Sequence, residues 1–176
     1  MKHRQLRKNI ALLLLICGPL SAADPVTITQ LDNDTIQASF ELPSTVDRVW
    51  AVITNYENSP NVMPNIKKAT IISSQHSTDI NVDYVTSVAG AGPFTVTYTS
   101  KITAVKSKGI INWEQVKGPF VKNYGSWSIK AVSDKLTKVV YTATFNHKYM
   151  PDRIKRSLVK KSIPDLYESL KKHSSD

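Results

Sequence analysis

The side chains able to do chemistry are few and scattered. Of the four histidines, His3 stands in the N-terminal segment, His76 in an expected turn, His147 near the end of an expected strand and His173 at the tail. No two have the spacing of metal ligands on one element. No Gly-x-Ser-x-Gly turn or phosphate-cradling loop accompanies them. The glycine run Ala89-Gly90-Ala91-Gly92-Pro93 lies between two expected strands and does not open a helix, so it reads as a hairpin loop. No catalytic residue, metal or cofactor is therefore expected. His147 is the one histidine of interest, because it shares strand parity with Tyr141, Phe145 and Tyr149. On an inward face a neutral imidazole hydrogen-bonds a ligand carbonyl, or is satisfied by a neighbouring backbone or tyrosine group. Both readings stand at this point.

Aromatic residues are a second signal. Tyr84, Phe94, Tyr98, Trp127, Tyr141, Phe145 and Tyr149 fall on the faces expected to point inward, while the facing of Trp50 and Trp113 is less fixed. Core packing explains any one of them. As a set they favour a hollow, since each phenol buried without a partner costs about 1–3 kcal/mol and a wet or ligand-filled interior removes that cost. The expected lining comprises these residues and His147, with Trp113, Met63 and Leu158 added.

The elements that position them follow from periodicity. Ile36, Ala38, Phe40 and Leu42 alternate with polar residues as in a half-buried strand. Thr45 caps a helix to about Asn55, with Val46, Val49, Trp50 and Ile53 on one face. Pro60 and Pro64 limit the next stretch to a short helical turn. Strands are then expected near 69–73, 82–88, 94–104, 110–116, 124–132 and 137–149. The segment from Asp152 to His173 forms a helix with Ile154, Leu158, Ile163, Leu166, Tyr167 and Leu170 inward, kinked at Pro164. Strands with one apolar face and short connections make an antiparallel sheet, which buries that face under the final helix. The expected class is α+β, with a strongly bent antiparallel sheet of about seven strands.

The ends and the charge set the setting. Lys2, Arg4, Arg7 and Lys8 precede the apolar run 10–17 and the small residues before Ala23, the pattern of a signal peptide cleaved near Ala23. That run is shorter than the roughly 20 residues needed to span a bilayer. Residues 24–33 read as a flexible or edge lead-in and 34–173 as one domain. Cys17 leaves with the signal and follows Ile16, not the small residue that lipid attachment favours, so the mature chain is expected to lack cysteine. It then has 19 basic and 14 acidic residues, a net charge of +5, which with no recognition motif argues against nucleic acid. Arg153, Arg156, Lys160 and Lys161 form a basic stripe on the last helix. It is either a solvated face or a contact for anionic phospholipid, where each charge contributes on the order of 1 kcal/mol. A periplasmic or secreted monomer is expected.

Three stretches carry a family resemblance: Phe40-Glu41-Leu42-Pro43, Val49-Trp50-Ala51-Val52-Ile53-Thr54-Asn55-Tyr56 and Met63-Pro64-Asn65-Ile66. They resemble the opening of the START-like superfamily, which includes polyketide cyclases and the birch-pollen allergen (SRPBCC). The stretch 161–170 is similar to the final helix of its ubiquinone-binding branch. The resemblance implies a helix-grip fold, a sheet wrapped around the long final helix with a tunnel for lipids, sterols, quinones or polyketides. The export signal departs from the familiar members of that branch. The expected function is an exported carrier of a hydrophobic small molecule. A cyclase-type enzyme using His147 and a tyrosine, and an envelope interaction module without ligand, are the alternatives.

Overall fold

A computed structural model describes residues 25–91, 94–149 and 151–175; among these the side chains of Ala91, Phe94, Asp152, Ile154, Lys155, Arg156 and Val159 are not described. The expected signal segment and Cys17 lie outside the described residues. The order is β1 (Val26–Gln30), β2 (Thr35–Leu42), α1 (Val46–Thr54), a 3-10 turn (Tyr56–Asn58), α2 (Ser59–Val62), β3 (Ile66–His76), β4 (Ile80–Ala91) and β5 (Phe94–Val105). A second 3-10 turn (Lys106–Lys108), β6 (Ile110–Lys117), β7 (Phe120–Ser133), β8 (Leu136–His147) and α3 (Asp152–Ser174) complete it.

All eight strands form one antiparallel sheet in the order β1-β2-β8-β7-β6-β5-β4-β3. From β3 to β8 each strand pairs with the next in sequence. β2 instead closes against β8, so α1 and α2 bridge the two ends of the sheet. The strand beyond the expected seven is β1, which lies in the lead-in 24–33 and pairs with β2 from Val26–Phe40 to Gln30–Ile36. Its alternation is weak because only Val26 is buried. The turn into β2 is built by Asp32, whose carboxylate accepts the amides of Asp34 at 2.8 Å and Thr35 at 2.9 Å.

Local chemistry explains the other boundaries. The Thr45 hydroxyl accepts the Arg48 amide and starts α1, whose buried residues are Val49, Trp50 and Ile53. Gly109 adopts φ 61° after the second 3-10 turn, where its carbonyl accepts the Ile129 amide at 2.8 Å. A Cβ there would strike the Ile129 carbonyl, so glycine is required. Most strands run longer than the periodicity predicts, but β8 ends at His147, two residues short of the expected 149, and leaves Tyr149 in a turn. β7 begins at Phe120, four residues early, because register shifts at Phe120/Lys122 and Ala131/Ser133 break the alternation at both ends. The terminal helix runs unbroken through Pro164, on its exposed side, where loss of one amide donor costs least.

The principal core lies where α1 and the C-terminal half of α3 cover β2, β7 and β8. Leu42, Val49, Ile129, Val139 and Leu170 are fully buried there, each contributing about 1.5–3 kcal/mol. Phe40 meets Tyr167 edge to face at 5.6 Å. Two hydrogen bonds pin the end of the helix: the Ser44 hydroxyl donates to the Ser174 carbonyl at 2.6 Å, and Thr137 donates to the Ser44 carbonyl at 2.7 Å. A smaller cluster of Tyr56, Ala69 and Val85 closes the β3–β4 side. In the N-terminal half of α3 the described residues Leu158 and Ser162 are half-buried. The protein thus has the helix-grip α+β architecture. Among the described residues no helix is long and apolar enough to cross a membrane.

Candidate functional site

Between the anchored half of α3 and the β3–β4 side the sheet is not filled. A cavity of about 450 Å³ lies there, lined by residues of every strand from β2 to β8, of α1, the first 3-10 turn, α2 and the loop after it, and of α3. Its volume suits a small molecule. Most of the expected lining is in place: Met63, Tyr98, Trp113, Trp127, Tyr141, Phe145, His147, Tyr149 and Leu158 all border it.

One expected position differs and another is not described. The side chain of Phe94 lies outside the described residues. Tyr84 does not border the cavity; β4 turns Val85, Ser87 and Ala89 inward and leaves Tyr84 half-buried on the other face. The alternation of Val82, Tyr84, Thr86 and Val88 is real, but the larger set faces outward. Inward positions of β4 are small because space is left open in front of them.

One wall is aromatic. Trp113 stacks on Tyr141 with centroids 5.4 Å apart and planes 14° from parallel, and Trp127 approaches Tyr141 at 4.4 Å. A second group, Tyr98, Phe120, His147 and Tyr149, runs outward in contacts of 5.5, 5.6 and 6.0 Å. Tyr149 is 79% exposed and marks the mouth. The Tyr149 amide donates to Nδ1 of His147 at 3.3 Å, so a neutral ring carries its proton on Nε2. Part of the plain reading of His147 therefore holds, a backbone bond, yet the residue also stands in the lining.

The mouth is roofed by a hydrogen-bonded strap. Asn65, in the loop between α2 and β3, donates to the Ser162 hydroxyl at 2.8 Å, and Ser162 donates in turn to the Leu158 carbonyl. The Gly90 amide donates to the Asn65 carbonyl at 2.9 Å. The loop, the tip of β4 and the N-terminal half of α3 are thereby held together.

Among the described residues the lining holds no Asp, Glu, Lys or Arg. Its ionisable groups are phenols and His147. Burial pushes the phenol of Tyr141 up, and the nearby Tyr98 adds to the shift. Burial raises Tyr98 also, partly offset by a hydrogen bond with Ser87. Burial raises Tyr56, reinforced by the negative charge of Asp83. All three phenols stay neutral and serve as hydrogen-bonding groups, not bases. The hydroxyls of Tyr56 and Ser100 are buried without a partner, each at a cost of about 1–3 kcal/mol.

These two residues escaped the sequence reading for different reasons. Tyr56 sits among helix breakers where no periodicity applies. Ser100 was legible, since it shares parity with Tyr98 and Ile102, but a serine in an apolar row carries no signal of its own. Away from the cavity, His76 ends β3 and its Nε2 lies 3.0 Å from Asp83, whose same oxygen also accepts the Ser74 hydroxyl. Ser74 and His76 both bind the carboxylate and not each other, so the trio is no nucleophile–base relay. Among the described residues no group of three His, Cys, Asp or Glu gathers as a metal site. Arg153, Lys160 and Lys161 are exposed on α3; the side chain of Arg156 lies outside the described residues.

Comparison with known proteins agrees with the fold. Among solved structures the chain is similar to a START superfamily protein from Mycobacterium smegmatis, at 13% identity and TM-score 0.68, over 80% of this chain and 97% of that one. It is similar to the Zhui aromatase/cyclase of a Streptomyces species, at 17% identity and TM-score 0.64, over 79% and 92%. It is also similar to a STAR-related lipid transfer protein from Xanthomonas axonopodis, at 14% identity and TM-score 0.64, over 86% and 94%. Nothing among curated proteins matches significantly. At these identities the likenesses speak for the fold. Residues 42–171 match the family described as polyketide cyclase / dehydrase and lipid transport, which spans most of the domain built above, and the chain belongs to that family.

Proposed function

We propose that the protein is an exported, non-catalytic carrier of one hydrophobic molecule per chain, lipid-like or quinone-like, held in the cavity beneath α3. The observation that carries this reading is the interior itself: about 450 Å³ bounded by aromatic and aliphatic side chains, with no charged residue in the described lining. Such a space binds by apolar burial and orients its occupant with a few neutral hydrogen bonds. The STAR-related lipid transfer protein of Xanthomonas axonopodis shares this architecture.

Export follows from the N-terminal pattern, and the protein acts as a monomer in the periplasm or outside the cell. Arg153, Lys160 and Lys161, exposed on α3, supply basic charge for transient contact with anionic membrane.

Cyclase activity is the second reading, favoured by the aromatase/cyclase relative and by His147, whose ring keeps an Nε2 proton at the mouth. The neutral phenols argue against it, because none is poised to take a proton near neutral pH.

The test is solvent extraction of the purified exported protein followed by mass spectrometry. One apolar species per chain is expected. Repeated absence of any bound species, with no uptake of fluorescent lipid, would remove the carrier reading.

A further inference from the structure

The cavity has a polar floor. Tyr56 is 7% exposed and Ser100 5% exposed, both border the cavity, and the hydroxyls of both lack a partner. They belong to the same side of it: Tyr56 shares a buried cluster with Ala69 and Val85, and Ser100 is the cross-strand partner of Val85. This is the β3–β4 side, several strands from β8 and its exposed Tyr149. Two buried hydroxyls on one side of the cavity have no use in a purely apolar site, where phenylalanine and alanine would pack without penalty.

The charge nearby restricts what they receive. Asp83 is 4% exposed, next but one to Val85 in β4, and its negative charge reaches the Tyr56 phenol. No lysine or arginine belongs to the described lining to offset an anion. A carboxylate or phosphate placed on this floor would meet like charge in a medium of low dielectric. A neutral oxygen accepts from both hydroxyls at no such cost.

We propose that Tyr56 and Ser100 form a head-group subsite selecting an uncharged oxygen-bearing lipid, an alcohol, ketone, ester or quinone, bound head-inward with its apolar part towards the Trp113–Tyr141 wall. This rests on the carrier reading and narrows it: ionised fatty acids and phospholipid head groups are rejected at the floor. The hydroxyls also lower the stability of the empty protein, and a ligand restores what they cost.

The test uses displacement of the neutral probe N-phenyl-1-naphthylamine by decanol, decanoate and decane near pH 8. Wild type is compared with a Tyr56→Phe/Ser100→Ala double variant. Decanol is expected to bind wild type about tenfold more tightly than decanoate, and the double variant to lose about tenfold for decanol while holding decane, the worth of one to two hydrogen bonds. Without ligand the variant is expected to melt higher than wild type, which also shows that it folds. If decanoate matches decanol, or the variant binds decanol as wild type does, the head-group subsite is wrong and the carrier reading survives. If wild type takes up neither the probe nor any of the three, both fall.

Discussion

Trp113 occupies the space that a side chain on Gly125 would need: a Cβ there would collide with the indole and with the Thr142 carbonyl. Gly125 and Trp113 are cross-strand partners in β7 and β6, so the missing side chain is what lets the tryptophan lie against Tyr141. Gly125→Ala is expected to lose about 1–3 kcal/mol by overpacking, measured by urea unfolding, because the backbone carbonyl cannot move aside as a side-chain tip would. An unchanged midpoint would mean that the wall is looser than its geometry implies.

The Asn65–Ser162 bond ties the roof to the rim, and it is the contact that must open if a ligand passes there. Asn65→Ala and Ser162→Ala should each cost about 1 kcal/mol and combine non-additively in a double-mutant cycle. Both should speed uptake of a neutral apolar probe in stopped flow. Additive losses with unchanged uptake rates would place the route elsewhere.

The two halves of α3 should respond differently to truncation. Leu170 is fully buried in the anchored half, and Leu170→Ala should cost about 2–5 kcal/mol. Leu158 is half-buried and borders a space already present, so Leu158→Ala should cost about 1 kcal/mol or less while weakening probe binding. Equal stability losses would contradict the division of the helix into anchor and roof.

High pH offers a further check on the interior. The folded-state values of Tyr56, Tyr98 and Tyr141 are raised above the ordinary phenol value near 10. Stability linked to these protonated phenols is complete below that value. It is lost as pH climbs above about 10, where the unfolded chain releases protons that the folded chain retains. Denaturation midpoints should fall from about pH 10 upward, and absorbance titration should reveal tyrosines among the seven that ionise only on unfolding. Full titration of every tyrosine near 10 in the folded protein would show that the cavity is wetter than its lining suggests.

Much of the fold was legible because alternation and helical spacing are local. The row Ile36, Ala38, Phe40, Leu42 and the row Tyr141, Phe145, His147 face as their parity requires. Which face of β4 turns inward was not local. The alternation of Val82, Tyr84, Thr86 and Val88 points Tyr84 inward, yet the positions in front of a cavity take small residues such as Ser87 and Ala89. β1 was obscured for a related reason, since an edge strand with one buried residue need not alternate. The hollow depends on what opposite strands leave unfilled. Tyr56 enters it from a segment without period, and no spacing in the chain announces that.

The central claim is that the space beneath α3 receives an apolar molecule, and filling it tests this directly. Ala89 borders the cavity and is half-buried, so Ala89→Trp places an indole in the space the ligand would use. In fluorescence titration with N-phenyl-1-naphthylamine, wild type should bind one probe per chain and Ala89→Trp at least about tenfold more weakly, with its fold retained by circular dichroism. Equal binding by the two proteins, or none by wild type, would contradict the claim.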